Sequence, residues 1–188
     1  MLTEIERSSD LLIDREEAKC ALRVDHDDDD GRIEALIRSE TTRFESFTRR
    51  RLVKVTLEAS FPDFGEPLVL PETPVRSIVE LAYLDAQHAR QTVLAPFYYP
   101  SQNAVGETEI RFATGWVAPL LSDRPRPVFV RFVAGLDKPG ASGADPGFLL
   151  EERDKICILQ LVASLYDHGK AMSESDMRAA MGDRRLFR

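Results

Sequence analysis

The chain has 188 residues, with 32 acidic against 25 basic side chains and a formal net charge of −7; 43% of its residues are hydrophobic and 30% are charged. It is long enough to bury a core without disulfide support, too apolar for a disordered polyanion, and too acidic for a general nucleic-acid binder. Met1 to Arg7 shows no basic segment followed by an apolar run, so no secretory leader is expected. Charges or prolines interrupt every apolar stretch before the roughly 18 residues that a membrane span needs, so no span is expected either.

Cys20 and Cys157 stand far apart, with no second Cys or His at metal-ligand spacing. They predict neither a zinc site nor a disulfide framework, suit a reducing cytoplasm, and read as small buried residues on helices. Asp14 with Glu17 three residues on forms a variant capping box, and Ala18, Cys20, Ala21 and Leu22 continue a first helix. The run Asp25-His26-Asp27-Asp28-Asp29-Asp30-Gly31 breaks it and places acids at the positive end of the next helix. In that second helix Ile33, Leu36, Ile37, Phe44 and Phe47 make one apolar face, while Arg38, Glu40, Arg43, Glu45, Arg49 and Arg50 are expected on the charged outer side.

From Leu52 the period changes to two. Val53, Val55, Leu57 and Ala59 alternate with Lys54, Thr56, Glu58 and Ser60, which predicts a half-buried strand. Prolines at 62, 67, 71 and 74 leave room only for a short strand at Leu68 to Leu70. Residues 76–84 and 90–95 flank Asp85-Ala86-Gln87-His88 as a hairpin, and Glu109 to Phe112 and Val128 to Val133 are two further strands. Residues 135–147 read as a loop, and Asp145-Pro146 as the cap and first residue of a helix of roughly twenty residues that ends at His168-Gly169. A last amphipathic piece spans about Ser173 to Met181.

The fold class is therefore α+β, in which helices formed by the two chain ends come together and a small antiparallel β domain is inserted between them. The boundaries drawn are 1–51 for the N-terminal helices, 52–135 for the inserted β domain, 136–181 for the C-terminal helices and 182–188 for a tail.

The aspartate run does not fit an EF-hand. Starting at Asp25 puts Asp30 where glycine is needed and Leu36 where the bidentate Glu belongs; aligning Gly31 puts His26 first and Ile37 last. A solvated acidic loop is the better reading. His26, His88 and His168 assemble no triad with any nucleophile motif, and no glycine-rich segment carries the Lys-Ser/Thr of a phosphate loop, so no catalytic, metal or cofactor site is assigned. Charge is uneven along the chain: residues 1–38 hold twelve acids and six bases, whereas residues 169–188 hold five bases and three acids. Leu186-Phe187, set among Arg184, Arg185 and Arg188, is the chemistry of an interface anchor.

Several segments in order carry a resemblance. Leu12 to Asp25, the acidic turn, Ile33 to Ile37, Thr48-Arg49-Arg50-Arg51-Leu52, Leu70-Pro71-Glu72-Thr73-Pro74-Val75-Arg76-Ser77-Ile78, Val128 to Gly135 and Lys155 to Tyr166 together resemble the larger members of the tailed-phage head–tail connector (adaptor) family. Thr48-Arg49 departs from the Thr-Gly pair expected there, and the loop at 135–147 is a second departure.

The resemblance implies a non-enzymatic neck protein: a homo-oligomeric ring, of twelve copies, docked beneath a portal protein and receiving a tail-side stopper or terminator. DNA passes through the ring without specific binding. It implies a place at the capsid–tail junction of a phage, prophage or gene transfer agent particle assembled in a bacterial cytoplasm. On this reading Arg184, Arg185, Leu186, Phe187 and Arg188 anchor in the portal, and Asp27, Asp28, Asp29, Asp30, Arg49, Arg50 and Arg51 lie at the ring interface or lumen. Two other classes compete: a small enzyme with a site around Tyr166, Asp167 and His168, and a monomeric binding module using the β region.

Overall fold

The computed structural model describes residues 1–65 and 67–181. The chain is α+β and divides into two units: Met1–Ser8 with Lys54–Gly135, which holds the strands, and Ser9–Val53 with the residues from Leu136 on, which holds the helices.

In the first unit the period-two segment after Leu52 forms β2, Val55–Phe61, with Val55, Leu57 and Ala59 buried. Its antiparallel partner, Val128–Ala134, repeats the alternation, so Leu57 stands opposite Phe132 and Ala59 opposite Val130. Matching alternation fixes this register, because a slip by one residue would turn both apolar rows outward. Residues Val75–Leu84 pair with the other side of that strand, and Arg90–Thr92 complete the expected hairpin, whose turn is held by the Asp85 carboxylate accepting from the backbone N–H of Gln87 and Ala89.

Two strands lie where the sequence reading placed none. The first, β1, Leu2–Arg7, pairs antiparallel with β2, and a register shift between Glu4 and Glu6 leaves Ile5 out of the ladder. That irregularity and the three charges in six residues erase the alternation by which a strand is recognised. The other, Tyr98–Gln102, contains Pro100, which is tolerated because this strand is an edge of the second sheet.

With β3 at Leu68–Val69, β4 at Val75–Leu84, β5 at Arg90–Thr92, β6 at Tyr98–Gln102, β7 at Thr108–Phe112 and β8 at Val128–Ala134, the sheets run β1-β2-β8-β4-β5 and β3-β7-β6. Both contribute to one core, which includes Leu57, Leu81, Ile110 and Phe132. Across the five-stranded sheet, Glu58, Arg131 and Glu80 are cross-strand neighbours, and Arg90 bridges to Glu58 at 2.9 Å and Glu80 at 2.8 Å. The hydrogen bond from Arg90 holds the Glu80 carboxyl below its ordinary range.

The second unit contains α1 (Arg15–Leu22), α2 (Asp30–Thr48), α3 (Glu152–His168) and α4 (Glu174–Met181). Ile13, Ala18, Ile33, Ile37, Phe44, Leu52, Ile158, Leu161 and Val162 form its core, with Met177 of α4 buried against it. Three details differ from the sequence reading. Cys20 is exposed, because the inward positions of α1 are taken by Ala18 and Lys19. Glu40 and Glu45 are buried rather than on the charged outer side: Glu40 pairs with Arg43 at 3.2 Å, and Glu45 accepts backbone N–H groups beyond the helix end.

The third difference concerns Asp145-Pro146, which open only a 3-10 turn through Pro146–Phe148, capped by Asp145 accepting from the Gly147 N–H. The stretch before Glu152 is pinned instead by the hydrogen bonds of Asp137 N–H to the Phe148 carbonyl and Leu150 N–H to the Asp137 carbonyl, so α3 starts only at Glu152. Its end at His168 and the left-handed Gly169 cap, φ 60°, match the expectation.

Phe132 is fully buried at the centre of the first core. Replacing it with Ala is expected to destabilise the protein by about 3–5 kcal/mol, the usual cost of deleting a buried aromatic ring, read from the urea midpoint of unfolding.

Candidate assembly site

The candidate residues Asp27 to Asp30 and Arg49 to Arg51 lie in the helical unit. Lys19 points inward from α1, with its side chain only 6% exposed, and its Nζ donates to Asp27 Oδ1 at 2.6 Å and Asp30 Oδ1 at 2.9 Å. A buried ammonium without such partners would be strongly disfavoured. Arg15 reaches Asp30 at 3.0 Å and Glu34 at 3.5 Å. Asp29 Oδ2 accepts from the Tyr166 hydroxyl at 2.6 Å, and the Arg32 guanidinium lies 4.6 Å from the centroid of the same ring while donating to the Tyr166 carbonyl at 3.3 Å. The aspartate run therefore ties α1 and α3 to the start of α2. Asp28 is exposed.

These contacts move ionisation equilibria in the sense that favours the paired forms. The hydrogen bond from Lys19 lowers the Asp27 pKa, those from Asp27 and Asp30 raise that of Lys19, and donation to Asp29 raises that of Tyr166. Lys19 was absent from the sequence-derived candidates; a lysine on the inward side of a short helix, followed within about three turns of chain by a run of acids, is the signal that identifies it.

At the other end of α2, Arg49 is exposed and adopts the left-handed conformation, φ 57° and ψ 33°, as the helix C-cap. This is the position where the resemblance called for glycine. Arg50 Nη1 donates to Asp154 Oδ2 at 2.9 Å, and Asp154 is fully buried. Glu45 receives the N–H groups of Leu52 and Val53 at 2.7 and 2.9 Å, with Arg51 at 4.0 Å. Five of the seven candidates, Asp27, Asp29, Asp30, Arg50 and Arg51, thus make contacts within the chain, and Asp28 and Arg49 face outward.

The tail candidates Arg184, Arg185, Leu186, Phe187 and Arg188 lie outside the described residues. Of the residues proposed for an enzymatic site, Tyr166 is engaged with Asp29, and Asp167 and His168 are exposed. Among the described residues no group of three or more His, Cys, Asp or Glu is placed to hold a metal ion, and no helix is long and apolar enough to cross a membrane.

Residues 13–89 match the family model of phage gp6-like head–tail connector proteins. Among curated proteins no sequence matches this chain.

Its fold is similar to a chain in a structure described as the virion of a native gene transfer agent particle, at a TM-score of 0.77 and 20% identity, over 100% of this chain and 96% of that one. A chain in the neck of an empty gene transfer agent particle computed with C6 symmetry gives 0.77 and 21% over the same shares. One in the neck of a native particle computed with C12 symmetry gives 0.69 and 20%, again over 100% and 96%.

The charge lock has a defined pH window. Asp27, lowered from 3.8, contributes stability that is present above that value and lost as pH falls through its lowered folded pKa. Lys19, raised from 10.5, and Tyr166, raised from 10.0, contribute stability that is complete below those values and lost as pH rises through the folded ones. Thermal stability is therefore expected to be level from about pH 5 to 9 and to fall on both sides, with a shallower alkaline limb in Tyr166→Phe, followed by calorimetry. Arg49→Gly is expected to raise stability by about 0.5–1 kcal/mol, as relief of left-handed strain exceeds the added entropy of the unfolded chain; chemical denaturation measures it.

Proposed function

We propose that this chain is a structural head–tail connector, which joins the capsid to the tail of a tailed phage or a gene transfer agent and performs no catalysis. Copies form a ring of twelve below the portal, the tail-side stopper or terminator binds on the other side, and DNA moves through the central passage. The observation that carries this reading is a coincidence of two likenesses. The family match covers α1, α2 and the strands up to the β4–β5 hairpin, while the fold likeness extends over the whole chain to proteins of gene transfer agent virions and necks, one of them computed with twelvefold symmetry.

Electrostatics support the same reading. A duplex moving through a narrow passage must not be held; with net −7, acidic surface turned to the lumen repels phosphate where basic surface would trap it. A ring also needs two different faces on each subunit. The helical unit, residues 9–53 and 136–181, forms the ring in this proposal, the β unit of 1–8 and 54–135 packs against neighbours or the tail, Asp28 and Arg49 are the outward members of the interface or lumen set, and Arg184 to Arg188 anchor in the portal.

Imaging of intact particles is expected to find the protein at the capsid–tail junction; its absence there overturns the reading. Deletion of residues 182–188 is expected to preserve the circular dichroism spectrum and abolish co-purification with the portal protein, and retained co-purification refutes the anchor.

A further inference from the structure

Arg49 stands where the fold needs a left-handed backbone, φ 57° and ψ 33°, at the C-cap of α2. An arginine is strained in that conformation and a glycine is not. The side chain recovers nothing inside the chain: it is exposed, and among the described residues no carboxylate meets it. The acid one turn back, Glu45, is buried and receives the N–H groups of Leu52 and Val53, while exposed Thr42 and Ser46 turn their hydroxyls to carbonyls of the helix itself. The helix dipole favours a cation at this end, yet Ser46, exposed and helical, offers a place for one without strain, and the last turn of α2 holds no basic residue. Strain kept without local return marks a group that acts on something outside the chain.

The chemistry that a guanidinium fits is a carboxylate. The opposite end of α2, 19 residues and about 28 Å away, presents one in the same condition. Asp28 is exposed and, unlike Asp27, Asp29 and Asp30, has no partner among the described residues; Asp25 is exposed beside it, with Arg23 as the cation of that turn. One helix thus carries an unmatched cation at one end and an unmatched anion at the other. An end that meets its own counterpart in a second copy sets like charges together. An end that meets the opposite end matches them, and repetition of that contact about an axis closes a ring. We propose that Arg49 of one copy pairs with Asp28 of the next, so that the two ends of α2 serve as the two different faces of the ring subunit. The inference rests on the ring reading above and names the charge pair that sets the direction of the ring. An exposed pair adds little affinity by itself; its work is to fix register and reject the reversed contact.

The test uses the full chain in particle-producing cells, as wild type, Arg49→Asp, Asp28→Arg, the double variant carrying both changes, and the two single variants expressed together. Necks are imaged, and each purified chain is followed by thermal denaturation. Either reversal sets like charges against each other at every junction, so rings are expected to be lost in both single variants while the melting temperature stays at or above that of wild type. Rings are expected to return in the double variant. They are also expected when the two singles are expressed together, because alternating copies then match at every junction. Arg49→Gly is expected to unfold at a higher temperature than wild type and yet to form fewer rings. Together with Asp28→Asn it is the deciding variant should a reversal disturb folding.

Normal rings in either reversal, or failure of either rescue, overturn the pairing; rings lost without rescue assign Arg49 to an acidic group of another neck component. Normal rings in both Arg49→Gly and Asp28→Asn overturn it where the reversals do not fold. Necks without rings in wild type overturn the ring reading itself, which separates that failure from the failure of this contact.

Discussion

The Lys19 ammonium is the constraint around which the helical unit is arranged. An α1 of eight residues is too short to persist alone and has Ala18 as its buried apolar contribution. Packing it places a lysine inside, and the unit is compatible with that only because the following turn supplies carboxylates on either side, from Asp27 and Asp30. Once the turn is fixed by that pair, Asp29 is positioned for the Tyr166 hydroxyl and Asp30 stands at the start of α2, where the helix dipole favours an acid. Asp27, Asp29 and Asp30 of the acidic run are thus internal partners of the fold, while Asp25 and Asp28 stay exposed.

The same allocation recurs elsewhere. Buried Asp154 is met by Arg50, Lys155 by Glu17 and Glu152, and on the sheet Glu58 and Glu80 are met by Arg90 and Arg131. Charges consumed in this way are unavailable to a partner. The remaining surface is therefore characterised less by its ions than by where ions are missing, and the longest charge-free segment, residues 91–106, lies in the β unit.

The α+β class and most elements were legible because they announce themselves by period: Ile33, Ile37 and Phe44 for α2, Val55, Leu57 and Ala59 for β2, and Gly169 for the end of α3. Elements held by long-range pairing against their local sequence were not. The β1 strand has no alternation of its own and exists because β2 offers an edge; β6 carries a proline; and the start of α3 is delayed by a backbone pairing between residues 137 and 148–150 that no cap signal reveals. Among the candidate aspartates and arginines the sequence did not show which would pair within the chain, since a list of such residues does not say which will find one another. Arg49 shows the complementary case: the position was recognised as one for glycine, and the structure has the left-handed backbone that glycine would take, with arginine in it.

The chain passes between its two units three times, after Ser8, Val53 and Gly135. During synthesis, β1 emerges first but cannot pair until β2 follows, and β2 in turn waits for β8, more than seventy residues later in the register of Glu58 with Arg131. The nascent α1 and α2 likewise lack Ile158, Leu161 and Val162 until the chain is more than a hundred residues beyond α2. Both cores thus close only through contacts distant in sequence, which exposes the growing polypeptide to premature association. Interleaved threading of this sort also means that no single cut of the gene yields either unit whole.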